Sequence, residues 1–157
     1  MKLYTFERAQ RLPIDIETSW KFFSNPGNLK EITPPWLNLR MTAGLPDEIY
    51  TGLLIPYRVH PLLGIPLTWV TEITHVEKPE LFIDEQRFGP YRFWHHRHLF
   101  KEIKGGVEMT DMVSYALHFD PFSRILNALM VRRKLDEIFR FRFEYLQKKF
   151  GALPSHL

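Results

Sequence analysis

The chain contains no cysteine, which excludes disulfide stapling, thiol catalysis and zinc sites built on thiolates, and fits a cytoplasmic setting. It also lacks a long apolar run. No stretch approaches the ~18 residues that a membrane helix requires, and MKLYTFERAQRLP has no apolar centre of a secretory leader, so a soluble, unprocessed chain is expected. A concentrated block of one charge is missing as well. The 21 Lys and Arg stand against 18 Asp and Glu, and the formal net charge of +3 is spread along the chain instead of forming a stripe with stacking aromatics. Nucleic-acid binding is therefore not expected. Repeats, low-complexity segments and linkers are absent too, and 157 residues form one expected domain, 1–157, large enough for a core or for a core with a hollow in it.

What the sequence has in excess is aromatic: 13 Phe, 6 Tyr and 4 Trp. Such side chains fill cores and line pockets equally well.

Hydrophobic periodicity orders the chain. Leu3 to Arg11 alternates as a strand that Pro13 ends, and Asp15 is an N-cap for a short helix with Ile16, Trp20 and Phe23 on one side. Asn25 caps a second short helix that has Pro26 at its first position and buries Leu29 and Ile32. From Trp36 the period becomes two. Leu37, Leu39 and Met41 share one strand face, and Leu53, Ile55, Tyr57 and Val59 share another. The segment from His60 to Pro66, apolar but holding two prolines and a glycine, reads as a loop that tucks into the core, rims a cavity mouth or meets a partner. Strands follow over Leu67–Glu77, Leu81–Phe88, Tyr91–Ile103 and Val107–Phe119. After Asp120-Pro121 the period turns helical as far as Phe150, with Gly151 as the stop. About 28 residues at 1.5 Å each give roughly 40 Å of helix. Its apolar stripe is Ile125, Ala128, Leu129, Leu135, Phe139, Phe143, Leu146 and Phe150, and Phe141 and Tyr145 fall on the solvent side.

The strand FWHHRHLF carries Trp94, His96, His98 and Phe100 on one face. Polar groups buried without partners cost about 1–3 kcal/mol each, so an inward row of imidazoles implies a satisfied network or a ligand. A two-residue type I′ turn at Gly105-Gly106 would pair Lys104 with Val107, setting Phe100 opposite Asp111, His98 opposite Val113 and His96 opposite Tyr115. The His96, His98, Asp111 and Tyr115 face then points inward, because the other face carries Arg97, Lys101, Glu108 and Ser114. A three-residue loop at Gly89-Pro90 avoids proline at a disfavoured turn position and sets Asp84 opposite His96 and Gln86 opposite Trp94. The imidazoles then admit four roles: neutral rings satisfied by Asp84, Asp111, Tyr115 or backbone; a polar patch that orients a ligand; a two-histidine, one-carboxylate metal set, for which H-x-H is a weak signal; or acid–base catalysis by His98 with Asp111 as its orienter. No cofactor is expected and no metal ligand is assigned. Arg132 and Asp136, four apart on the last helix, form an edge ion pair or place Arg132 at a cavity mouth as a donor to a carboxylate or phosphate.

Strand, two short helices, a run of antiparallel strands and one long terminal helix is a distinctive order. From RLPIDIETSWKFFSNPGNLKEITPPW to LDEIFRFRFEYL the chain resembles the START and polyketide-cyclase-like superfamily, SRPBCC, and FIDEQRFGPYRFWHHRHLF followed by MTDMVSY resembles a little-characterised bacterial subfamily of ligand-binding domains. The resemblance implies an α+β helix-grip fold: a seven-stranded curved antiparallel sheet wrapped around a long C-terminal helix, with two short helices after the first strand. It also implies a cavity for lipids, polyketides or other bulky apolar molecules, and enzymatic activity in a minority of members.

The expected function is binding of a bulky, largely apolar or amphipathic small molecule between sheet and helix, with an enzyme of polyketide cyclase, dehydratase or hydrolase type using His96 or His98 with Asp84 or Asp111 as the alternative. Candidate walls are Tyr57, Trp69, Trp94, Phe100, Tyr115 and Phe139; candidate polar anchors are Asp84, Gln86, His96, His98, Asp111 and Arg132.

Overall fold

The computed structural model describes residues 2–61, 64–118, 125 and 130–153. Seven strands, β1 (Tyr4–Leu12), β2 (Arg40–Met41), β3 (Leu54–Val59), β4 (Leu67–Glu77), β5 (Leu81–Phe88), β6 (Phe93–Ile103) and β7 (Gly106–Ala116), form one antiparallel sheet in the order β1-β7-β6-β5-β4-β3-β2. Between β1 and β2 lie helix α1 (Ile16–Phe23) and two 3₁₀ turns, Pro26–Lys30 and Pro35–Leu37. Helix α2 (Arg132–Phe150) crosses the concave face.

Local chemistry sets the breaks where the sequence predicts them. The Asp15 carboxylate accepts from the backbone N–H of Thr18 at 2.6 Å, and Asn25 Oδ1 accepts from Gly27 N at 2.8 Å. Each side chain satisfies an orphan donor at a helix start. The strand expected over Leu37–Met41 is reduced to Arg40–Met41, because Pro34 and Pro35 lead into a turn that Asn38 closes in the left-handed conformation. The predicted long helix is described from Arg132; most of its stretch from Ser123 to Leu129, and Leu62 and Leu63 of the apolar loop, lie outside the described residues. Ile125 is exposed.

Alternation on β6 and β7 is strict. Trp94, His96, His98 and Phe100 are buried on one, and Val107, Met109, Asp111, Val113 and Tyr115 on the other. The pairing differs from the predicted type I′ register by two residues. Ile103 pairs with Gly106, so His98 lies opposite Asp111, His96 opposite Val113, Trp94 opposite Tyr115 and Phe100 opposite Met109. Two causes are visible. Gly105 alone in the turn has positive φ (+84°), and Gly106 runs so close to the end of β1 that an added Cβ would stand 2.0 Å from the Leu12 carbonyl oxygen. A shift of two preserves the faces, since side chains repeat every two residues. On the other side of β6, Asp84 pairs with His96, as the longer Gly89 loop predicts.

Register shifts in β4 between Val70 and Thr71 and between Ile73 and His75 bend that strand, as bulges do. The sheet's concave face holds two apolar clusters, one around Trp20, Phe82, Phe100 and Leu146, the other around Phe6, Trp94, Tyr115, Leu135 and Phe139. Since no Cβ fits at Gly106, the Gly106→Ala variant is expected to lose about 1–3 kcal/mol, read as a lower urea unfolding midpoint, while Gly44→Ala, with nothing within 4 Å of its Cβ, leaves that midpoint in place.

Candidate functional site

Where the two clusters meet, β5, β6, β7 and α2 bring five ionisable side chains together. On α2 the buried residues Leu135, Phe139, Arg142 and Leu146 recur at i, i+4, i+7 and i+11, one face of a helix. One of the four is an arginine. Its guanidinium Nη1 donates to Asp111 Oδ1 at 3.0 Å, both side chains being almost fully buried. The same carboxylate oxygen lies 2.8 Å from His96 Nε2 and 3.1 Å from His98 Nδ1, the latter off the hydrogen-bond line. One step along the sheet, Asp84 Oδ2 lies 2.7 Å from His98 Nε2 and 3.3 Å from His96 Nδ1. The two rings sit 3.8 Å apart between their centroids, with His98 stacked on Phe82 and His96 edge-on to Trp94 and Phe139.

Charge governs this cluster. Burial alone would raise Asp111, but the Arg142 charge and the histidine contacts outweigh it and hold the carboxyl well below the usual range. Asp84 follows the same pattern: burial opposes ionisation, and the charge and hydrogen bonds of His96 and His98 win. For His96, burial would lower the imidazole, yet its position between Asp84 and Asp111 raises it. The two carboxylates face the Arg142 guanidinium and an imidazole held toward its charged form, so the buried charges have opposite partners, the condition under which buried ions are tolerated. Tyr57, whose hydroxyl lies 2.9 Å from Thr71 Oγ1, is pushed up by burial and then by the Asp84 charge.

Above the cluster lies a cavity of about 300 Å³ between the sheet and α2, at the small end of ligand pockets. Of the predicted residues, Tyr57, Trp69, Asp84, Trp94, His96, His98 and Phe139 line it. Five others do not. Phe100 packs against Trp20 and Phe82, Tyr115 is sealed beneath Tyr91 and Trp94, and Asp111 lies behind the histidines as their partner. Gln86 turns to the β5–β6 loop, its amide donating to Tyr91 O at 2.7 Å and accepting from Tyr91 N at 3.2 Å. Arg132 donates to the Thr5 carbonyl at 2.9 Å and covers the Phe6 ring at the β1 edge; the mouth position predicted for it belongs to Lys134, which sits over Trp36 at 4.2 Å. Trp36 and Met130 are both cavity-lining and exposed, and so mark the opening. Tyr145, predicted to face solvent, packs against the core and donates its hydroxyl to Glu31. Arg142 and Lys134 were missed by pattern reading. Arg142 was findable, because spacing from Leu135 puts it on the apolar stripe in place of Phe143.

Similar architectures occur in solved structures. Protein CV1439 from Chromobacterium violaceum superposes with a TM-score of 0.70 at 10% identity, over 95% of this chain and 98% of that one. Ara h 8.0201 gives 0.61 at 14% identity, over 94% and 99%. The di-domain ARO/CYC BexL from the BE-7585A biosynthetic pathway gives 0.69 at 15% identity, over 97% of this chain and 51% of that one. The chain has the helix-grip fold. No protein-family model matches the sequence, and no curated protein matches it. Identities at this level carry the fold and no further. In this helix-grip chain no described helix is long and apolar enough to cross a membrane.

Removing the Asp111 charge leaves the buried Arg142 guanidinium without its carboxylate, so Asp111→Asn is expected to cost about 3–5 kcal/mol in urea unfolding. The pH dependence has a defined sign. His96 is held above its ordinary value of 6.5, so its stabilising contribution is complete below that value and is lost as pH rises through the folded-state value. Asp84 and Asp111, held below 3.8, contribute above that value and lose their contribution as pH falls. With Asp84, Asp111, His98 and Arg142 as the groups facing His96, the stability gap between wild type and His96→Gln is expected to be widest at about pH 4–6.5 and to narrow in more alkaline buffer.

Proposed function

We propose that the protein binds a bulky, largely apolar small molecule or lipid in the cavity between its curved sheet and α2, as an SRPBCC-type ligand-binding domain of the little-characterised bacterial subfamily its sequence resembles. The observation that carries this reading is the cavity itself. Its wall is largely aromatic and aliphatic, with Tyr57, Trp69, Trp94 and Phe139 around a buried charged group of Asp84, His96, His98 and Arg142. Apolar walls provide affinity through desolvation, while a few placed polar groups fix orientation. Trp69 Nε1 and Arg142 Nε, both buried in cavity-lining residues, have no hydrogen-bond partner among the described residues, which suits a ligand bearing an acceptor such as a carbonyl or carboxylate. The shared fold with Ara h 8.0201 and BexL supports this reading.

An enzyme of polyketide cyclase, dehydratase or hydrolase type is the second reading, favoured by one observation: the polar group consists of carboxylate–imidazole pairs and not of neutral amides. It stands second because two flanking carboxylates hold His96 toward its protonated form, and a ring held so is a poor proton acceptor.

Native mass spectrometry of protein purified from its own host is expected to show a co-purifying small molecule that is lost in His98→Phe. Thr71→Trp, which fills the cavity from β4, is expected to lower the affinity for a fluorescent fatty acid by at least tenfold. Equal binding by wild type and both variants would overturn the reading.

A further inference from the structure

The polar group at the cavity floor has a geometry that hydrogen bonding alone uses poorly. Asp84 Oδ2 is approached by two ring nitrogens at once, His98 Nε2 at 2.7 Å and His96 Nδ1 at 3.3 Å. The two contacts share one oxygen and one of them is long. On the far side of the rings, the remaining nitrogens, His96 Nε2 and His98 Nδ1, lie 2.8 and 3.1 Å from a single oxygen of Asp111. That carboxylate is itself held by Arg142 at 3.0 Å. The His96 ring is thus held from behind by one carboxylate, and both rings converge in front on another.

We infer that Asp84 Oδ2, His96 Nδ1 and His98 Nε2 form a binding site for one divalent first-row transition-metal ion, with a further coordination position toward the cavity. One donor atom from each of the three residues lies within 4.8 Å of the others. A tetrahedral ion with bonds near 2.0 Å spaces its ligands by roughly 3.3 Å. The His96–Asp84 separation already has that value, and the His98–Asp84 contact widens by about half an ångström to reach it. Two imidazoles with one carboxylate suit zinc, cobalt or iron(II) in preference to magnesium or calcium, which take oxygen donors. Asp111 supplies for His96 what such sites use behind a ligand: an acceptor for the outer ring N–H at 2.8 Å, fixing which nitrogen of that ring keeps its lone pair. Charge agrees. Ligation takes both rings in their neutral form; Asp84, Asp111 and Arg142 then sum to one net negative charge, which a cation offsets, and with the cation bound the group becomes positive and accepts an anionic oxygen, from hydroxide or from a ligand carboxylate. The three donor residues line the cavity, so an ion there is open to solvent and ligand.

The inference stands whether or not an apolar molecule fills the cavity, and its test reads the metal alone. Protein treated with chelator and desalted is titrated with zinc by calorimetry and with cobalt(II) by visible absorption. One equivalent is expected to bind, with a cobalt d–d spectrum of a low-coordinate nitrogen and oxygen site. Asp84→Asn and His96→Gln are each expected to weaken binding at least a hundredfold, and Asp111→Asn about 10–100-fold. His75→Gln, at an exposed position on β4, is expected to bind as wild type does. Asp84→Asn keeps the shape of the side chain and so reports on the ligand set even where a histidine variant unfolds, with circular dichroism confirming the fold. Failure of wild type to bind either ion, or one-equivalent binding that persists in both Asp84→Asn and His96→Gln, would overturn the inference.

Discussion

A guanidinium on the last helix, held against a carboxylate in the middle of the sheet, sets the geometry of this molecule. The Arg142–Asp111 contact joins α2 to β7 at a point where both side chains are almost wholly out of water. Apolar contacts tolerate sliding, because dispersion and burial are non-directional. A buried ion pair does not, since any displacement strands a charge. The pair therefore sets how far along the sheet the helix lies, and with it the position of Leu135 and Phe139 over Phe6 and Trp94 and of Leu146 over the Trp20 cluster. The histidines extend the same constraint across β6 to Asp84 on β5, so that three neighbouring strands and a helix are tied by one electrostatic group.

The cavity is the other side of this arrangement. Register shifts bend β4, and the aromatic side chains of β3, β4 and β6 stack on one another along the cavity wall: Tyr57 on Trp69, and Trp69 edge-on to Trp94. Rings braced against their neighbours hold a wall in place without filling the space before it. A domain that packs to native density elsewhere can keep this hollow, because the ionic group at its floor and the braced rings at its sides both resist collapse.

Much of this was legible in the residues. The caps at Asp15 and Asn25, the period of two through the sheet, the inward face of β6 and the pairing of Asp84 with His96 all follow from local chemistry, and that chemistry acts over a few residues. The failures share a cause. Type I′ geometry was a sound expectation for Gly105-Gly106, but a carbonyl of β1, far away in sequence, presses on Gly106 and moves the turn back by one position. Phe100 and Tyr115 face inward as their parity demands, yet lie in packed core because α1 and the Tyr91 loop cover them. Arg132 and Arg142 are both arginines on α2, and only the partner each meets across the fold separates an exposed residue at the sheet edge from a buried one.

Alone, the sequence determined the order of most strands and helices, the inward face of β6, and that two imidazoles and two carboxylates share one face, because periodicity and capping are local properties of a chain. Tertiary structure alone decided that Asp111 stands behind the histidines while Asp84 stands before them, that Arg142 pairs with Asp111, and that a hollow remains above the group. Those outcomes depend on the distance between a helix and a sheet brought together by folding, and a buried charge is stable only where that distance supplies its partner.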